Sequence, residues 1–434
     1  VYADRDTVAG NRIGIDHDGL AARPNGGDGL WARLRGGFIG GLDPLDVNVI
    51  SGNAGNGIVL NGSSLDSTMC SYVLVEGNLV GTDAAGTFAI PNQEDGLKIL
   101  WSSDITAGVV GNDVVNIFSG NAGSGVAVSG ENCARLAVIA SMIGTDAAGA
   151  AAIPNQGNGI ETIGVVRDLA VGGVGFFEGN VISGNGMNGV SITGSGSRVQ
   201  GNIVGLAADR TSLLPNGRTG IAVLPGADPT RDVLIGGASP RARNYVSGNT
   251  DDGISVWGDS THDITIQNNW VGVAGNGTTA VPNGGHGVAI HEASAVVVGG
   301  DTAIKRNILS GNAHAGLHIT GGIQVQDSLI VQGNYIGCGS DGMTAVGNAW
   351  AGIYLINEAK RLTIGGAGAG LGNVISGNGG PGVWAGQTVD WIHSLTILGN
   401  RIGVDIHEQA LPNAGHGIWF ETYVRNSVVG DGTP

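Results

Sequence analysis

Two short elements alternate along the chain, and their period leaves few folds open. One reads GNRIG at Gly10–Gly14 and returns as GNLVG (Gly77–Gly81), ASMIG (Ala140–Gly144), GNIVG (Gly201–Gly205), NNWVG (Asn268–Gly272), GNYIG (Gly333–Gly337) and GNRIG (Gly399–Gly403), about 65 residues apart. The other reads NVISGN from Asn48 and returns in close variants from Asn116, Asn180, Asn244, Asn307 and Asn373. Repetition at such a period marks a solenoid, in which each repeat buries half a core against its neighbours.

Each element leads into an Asn, three further residues and a Gly followed by Ile, Val or Leu. Aligning on that closing Gly gives thirteen positions: Gly29, Gly57, Gly96, Gly125, Gly159, Gly189, Gly220, Gly253, Gly287, Gly316, Gly352, Gly382 and Gly417. After it the residues alternate in and out, as in GIVLN, GVAVS, GVSIT and GISVW, which is a short strand. Strands of the VVVGG and NVISG types follow, so the chain is expected to be all-β, with about thirteen coils of three strands each. Gly or Asn at the corners suits the left-handed backbone that such bends use. The Asn four residues before each closing Gly is expected to stack as a ladder from coil to coil. No stretch has helical periodicity of useful length, and residues 1–434 are expected to form a single β-helical domain.

Composition agrees. Glycine supplies 82 of 434 residues, yet not at every third position, and 41% of residues are hydrophobic, which excludes both collagen and a disordered chain. The formal charge is −16, with lysine only at Lys98, Lys305 and Lys360. Such an acidic molecule repels nucleic acid, anionic membranes and highly charged polysaccharides. No apolar run reaches the ~18 residues of a membrane span, and no secretory leader is read at the N-terminus, as in a mature or trimmed chain. Cys70 and Cys133 occupy equivalent positions two coils apart, about 10 Å at ~4.8 Å per coil, too far for a disulfide; with Cys338 they read as small buried side chains.

Every second coil is lengthened by a loop such as TDAAGTFAIP (Thr82–Pro91), expected to build a wall beside the strand after the closing Gly. Asp83, Asp146 and Asp405 in these loops read as turn caps rather than calcium ligands. On the NVISGN and GNxIGTD elements the chain resembles the right-handed parallel β-helix proteins of the pectin-lyase-like superfamily, of the secreted or surface bacterial type. The resemblance implies a right-handed parallel β-helix and an extracellular or cell-surface setting. That fold carries lyases, hydrolases, epimerases, tailspikes and adhesins alike, so it implies no single activity. The sequence opens and closes inside a coil with no capping helix, which leads to an expectation of end-to-end self-association through uncapped coils.

Candidate functional residues come from columns. Two residues after each closing Gly the outward position ends in His318, Tyr354, Trp384 and Trp419, a strip ~15 Å long that would hold three or four sugars laid along it. The corner before the closing Gly supplies Asp251, Asp252, His286, His314 and Trp350 on successive coils. Acids and imidazoles so placed can act as general acid and base near neutral pH. His291, Glu292 and Trp257 lie at the far end of the same strands. The spacing of His286, His314 and Asp252 matches no metal motif, and no cofactor is implied. A second cluster, Asp95, Lys98, Trp101 and Glu161, lies several coils earlier. Two functions fit: an enzyme that hydrolyses a neutral or weakly charged polysaccharide, with Asp251, Asp252, His286 or His314 as its chemistry and His318, Trp350, Tyr354, Trp384 and Trp419 as its sugar contacts, or a non-catalytic adhesive or filament-forming solenoid.

Overall fold

A computed structural model of the chain describes residues 2–62, 70–111, 114–321, 328–357, 360–386, 392–421 and 423–430. The chain is a parallel β-solenoid of about thirteen coils, as the repeats predict. It divides into two compact units, residues 1–218 with 226–228, and residues 219–225 with 229–434. Among the described residues, helix is confined to two single 3-10 turns, Pro240–Ala242 and Ala303–Lys305.

In both units each coil contributes a strand to each of three parallel sheets. In the second unit Ile254–Trp257, Val288–His291, Leu317–Thr320 and Ile353–Ile356 stack in register in the first sheet. His262–Gln267 and Ser294–Gly299 belong to the second, and Trp270–Val271 and Ile308–Leu309 to the third. In the first unit Ile58–Asn61, Leu97–Leu100, Val126–Ser129 and Ile160–Ile163 repeat the first sheet. Inward residues such as Ile254, Val256, Val288 and Ile290 are fully buried and fill the coil interior. Cys70 is paired with Ser102, and Cys133, one coil further on, with Val166, which sets the two thiols two coils apart; both are buried and free.

The expected Asn ladder forms. In the second unit the Nδ2 of Asn249, Asn283, Asn312 and Asn348 each donate to the Oδ1 of the next, at 2.9 Å, ending on Asn378. Asn312 Nδ2 also donates to the Val271 carbonyl, and its Oδ1 accepts from Asn283, so a buried amide has partners at both ends. A second ladder runs through the first Asn of each element, from Asn244 through Asn269, Asn307, Asn334 and Asn373 to Asn400. The sequence pattern contained it without marking it as a ladder.

The closing glycines answer a steric need. Gly287 does not adopt a left-handed backbone, but a Cβ there would lie 2.6 Å from the Gly316 carbonyl oxygen and 2.7 Å from Asn312 Nδ2. Close approach between coils, rather than backbone twist, excludes a side chain. Left-handed backbone is found instead at other corners, as at Gly272 (φ +85°), Gly311 (φ +75°) and Asn268 (φ +57°).

The inserted loops also differ from expectation. They fold back over the outer face of the third sheet rather than standing beside the first. Gly86 lies against Ile117 and Leu79, Gly149 against Met142, Gly277 against Trp270 and Gly342 against Tyr335. The outward residues of the third sheet are apolar and need a cover, and the loops supply it. Within each unit, loops bond the loop two coils earlier: the Ala84 N–H donates to the Gly19 carbonyl at 3.0 Å, Ala147 to Gly86 at 3.0 Å, and Ser340 to Gly277 at 2.9 Å. Asp83, Asp146 and Asp405 accept N–H bonds from their own loops, as turn caps do.

Candidate functional site

Over several coils the residue before the closing Gly builds a third ladder, and this ladder positions the site. In the first unit Asp28 Oδ1 accepts the Asn56 N–H, Asn56 Oδ1 that of Asp95, Asp95 Oδ1 that of Ser124, and Ser124 Oγ that of Asn158. In the second unit Asp252 Oδ1 accepts the His286 N–H at 2.7 Å, and His286 Nδ1 accepts the Ala315 N–H at 3.2 Å. The expected pairing of an Asp with an imidazole therefore runs through the backbone: the Asp252 carboxylate meets the His286 amide, not its ring. Because Nδ1 receives an N–H, a neutral His286 carries its proton on Nε2.

Four imidazoles gather on this face. The ring of His286 stacks on His318 with centroids 4.4 Å apart and meets His314 edge-on at 5.2 Å. His291 meets His318 edge-on at 5.3 Å and stacks on Trp257 at 3.7 Å. Ala289, in register with His318 one coil on, is fully covered. Its small side chain leaves the room into which the rings lean. His318 Nε2 lies 3.2 Å from the Thr320 hydroxyl, while its Nδ1 is buried with no hydrogen-bond partner.

Burial sets the charge states. Asp252, 8% exposed, has its carboxyl pushed up to about 7, chiefly by loss of water, against the stabilising His286 N–H and with the neighbouring Asp251 charge adding to the rise. Burial, aided by the other imidazoles, pulls His286 down to about 3 and His318 to about 4. Burial likewise takes His291 to about 4, opposed by Asp251. Near neutral pH the site thus offers a carboxyl group that exchanges its proton readily beside imidazoles that stay neutral.

The aromatic strip is continuous but not an open platform. His318 stacks on Tyr354 at 5.3 Å, Tyr354 lies 4.8 Å from Trp384, and Trp384 stacks on Trp419 at 5.0 Å and 5°. Side chains in register one coil apart sit at the distance at which rings stack, so they cover one another's faces. His318 and Tyr354 are buried, and Trp384, half-buried, donates from Nε1 to Glu421 at 3.0 Å. Beside the imidazoles, Trp350 is 45% exposed and Trp257 43%. Trp350 stacks on His314 at 5.0 Å.

The fold thus brings Asp252, His286, His314 and His318 together and adds His291 and Trp257. The sequence had put the last two at the far end of the strands; their signal was register with each other, on strands whose middle position is Ala289, small enough to let rings converge over it. Asp251 is exposed on the same corner. In the first unit the other cluster is committed to itself: Asp95 bonds Lys98 at 3.1 Å as well as the Ser124 amide, and Glu161 accepts from Asn158. No group of three or more His, Cys, Asp or Glu among the described residues is arranged to hold a metal ion.

No family model and no curated protein matches the chain. Solved structures that resemble it include a point mutant of the periplasmic alginate epimerase AlgG, 13% identical over 92% of this chain and 78% of that one, with TM-score 0.41. The mannuronan C-5 epimerase AlgE4 A-module of Azotobacter vinelandii is 14% identical over 91% of each chain, with TM-score 0.35. The surface adhesin PfbA of Streptococcus pneumoniae is 12% identical over 90% of this chain and 84% of that one, with TM-score 0.30. At these values the likenesses carry no argument about activity, and the parallel β-helix itself rests on the strand pairing described above.

Proposed function

We propose that this is an extracellular or cell-surface carbohydrate-active protein that cleaves a neutral or weakly charged polysaccharide on the outer face of the second unit. One observation supports it above others: a buried carboxyl near its midpoint at neutral pH, among imidazoles that remain uncharged and beside exposed tryptophan. Asp252 is the general acid, giving its proton to the glycosidic oxygen as the bond to the anomeric carbon breaks. Asp251, exposed on the same corner, takes a proton from the attacking water, so that hydrolysis balances. The neutral rings of His286 and His318, with the ring of His314 beside them, hold hydroxyl groups, and the acidic surface disfavours polyanionic substrates. The test is a panel of polysaccharides with product detection: new reducing ends from wild type, lost in Asp252→Asn, support the reading.

A second reading has its own observation. Asp252 and His286 serve as backbone acceptors in a ladder that the first unit builds from Asp, Asn and Ser, so a structural duty accounts for both. On that reading the chain is a surface solenoid that binds glycan without turnover, and the same panel would give binding and no product.

A further inference from the structure

Ring stacking in this fold fixes the direction in which a sugar can lie. Two residues before the closing Gly, successive coils of the second unit place Gly285, His314, Trp350, Gly380 and Gly415 in one column; the His314 N–H bonds the Gly285 carbonyl, Trp350 that of His314, and Gly415 that of Gly380. Trp350 lies on His314 with centroids 5.0 Å apart and planes 24° apart. Flat rings approach no closer than about 3.5 Å, so at 5.0 Å the ring normal lies within about 45° of the line joining the centroids. That line follows the stacking of the coils. One face of Trp350 is therefore spent on His314. The other turns toward Gly380, which has no side chain to cover it; the atoms nearest a Cβ built at Gly380 are backbone atoms of Trp350 and Ala351, and Tyr354 on the same coil makes an edge contact with Trp350 at 6.3 Å. In the neighbouring column the same coils carry Tyr354, covered by Trp384, and Trp384, covered by Trp419. The glycines leave Trp350 as the end of its stack.

We propose that the uncovered face of Trp350 is a pyranose subsite, and that a glycan bound there crosses the coils instead of running along the stack. This deepens the carbohydrate reading above and rests on it. A sugar that stacks on a ring lies parallel to it, and its glycosidic bonds leave roughly in its own plane. The plane of Trp350 is tilted by no more than about 45° from lying across the coils, so a chain that keeps to that plane and to the surface follows the strand direction more closely than the stack. A first-sheet strand of four residues, such as Ile353–Ile356, spans ~13 Å. The face holds two or three sugars, not a long polymer track. The ligand class is a neutral glycan whose bound ring keeps one C–H face free of substituents.

The test uses the full chain and β-1,4-gluco-, β-1,4-xylo- and α-1,4-gluco-oligosaccharides of two to eight units, with calorimetric affinities and product detection on the same samples. Affinity for one series should level off at about three units. Trp350→Ala should lower it about five- to ten-fold with an unchanged melting midpoint, and Trp350→Phe should restore most of it. Affinity that climbs through six or more units, or that ignores Trp350→Ala, overturns the proposal. Binding that plateaus without product leaves the subsite standing and removes the catalytic reading. Product formed with Trp350→Ala binding as wild type does the reverse, and no binding in any series removes both.

Discussion

The Oδ1 of Asp252 accepts the backbone N–H of His286 at 2.7 Å, one step in a ladder whose other steps use Asn or Ser as well as Asp. What this step needs is an acceptor oxygen, and an amide supplies one. What catalysis needs is a proton that can leave. Structural and chemical duties at this position are therefore separable.

Asp252→Asn should keep the ladder and lose the acid. Turnover of any polysaccharide that the wild type cleaves should fall by at least 100-fold, while circular dichroism and the cooperativity of thermal unfolding stay unchanged. Full activity in this variant would remove Asp252 from the chemistry.

The pH dependence of stability follows with a worked sign. Asp252 binds its proton more tightly folded, near 7, than unfolded, near 3.8, so the native state holds the extra proton between those values and loses stability as pH rises through them. His286, His318 and His291 run the other way: their folded values near 3 to 4 lie below 6.5, so the unfolded chain takes up protons first and stability falls as pH drops from 6.5. Three imidazoles outweigh one carboxyl between about 4 and 6.5, so melting temperature should rise with pH across that window and level off above about 7, and Asp252→Asn, which removes the opposing proton, should make the rise steeper. A rise that Asp252→Asn leaves unchanged contradicts the assignment.

His286→Ala removes the acceptor of the Ala315 N–H and should cost about 1–3 kcal/mol, read as a lower melting midpoint. His286→Asn, the residue at the equivalent step of other coils, should recover part of that loss. Equal destabilisation by both would mean that ring packing, not the hydrogen bond, carries the effect.

In the Asn ladder, Asn312→Ala strips one side-chain partner from Asn283 Nδ2 and one from Asn348 Oδ1, both buried. A loss of about 1–3 kcal/mol is expected in denaturant or thermal unfolding. An unchanged midpoint would remove the ladder as a source of stability.

Trp384→Ala should destabilise far more than Trp350→Ala. Trp384 lies between Tyr354 and Trp419 and bonds Glu421, whereas Trp350 is covered on one face. Calorimetry of both variants decides it: equal midpoints would show that the strip contributes nothing to folding.

Most of the fold was readable because the repeat is enforced by geometry that tolerates few residues. A Cβ at Gly287 would strike the next coil, and Asn312 needs partners above and below, so both recur and both can be counted. The site was readable as columns and no further. Register placed Tyr354, Trp384 and Trp419 in one row, but the stack that closes their faces depends on how bulky neighbours lean together. The contact between His286 and His318 crosses from one column to another over Ala289, and no periodicity encodes a diagonal. The Asp252 ladder was hidden because Asp, Asn, Ser and His share only the ability to accept a hydrogen bond.

The bonds between inserted loops span two coils, as in Ala147 N–H to Gly86 and Ala84 N–H to Gly19. A chain built this way has a natural quantum of length. Excising one coil would preserve every sheet yet bring a looped coil against the wrong partner and strand two loops without their bond. Excising two would close the gap cleanly, so the molecule can be shortened or extended only in even steps.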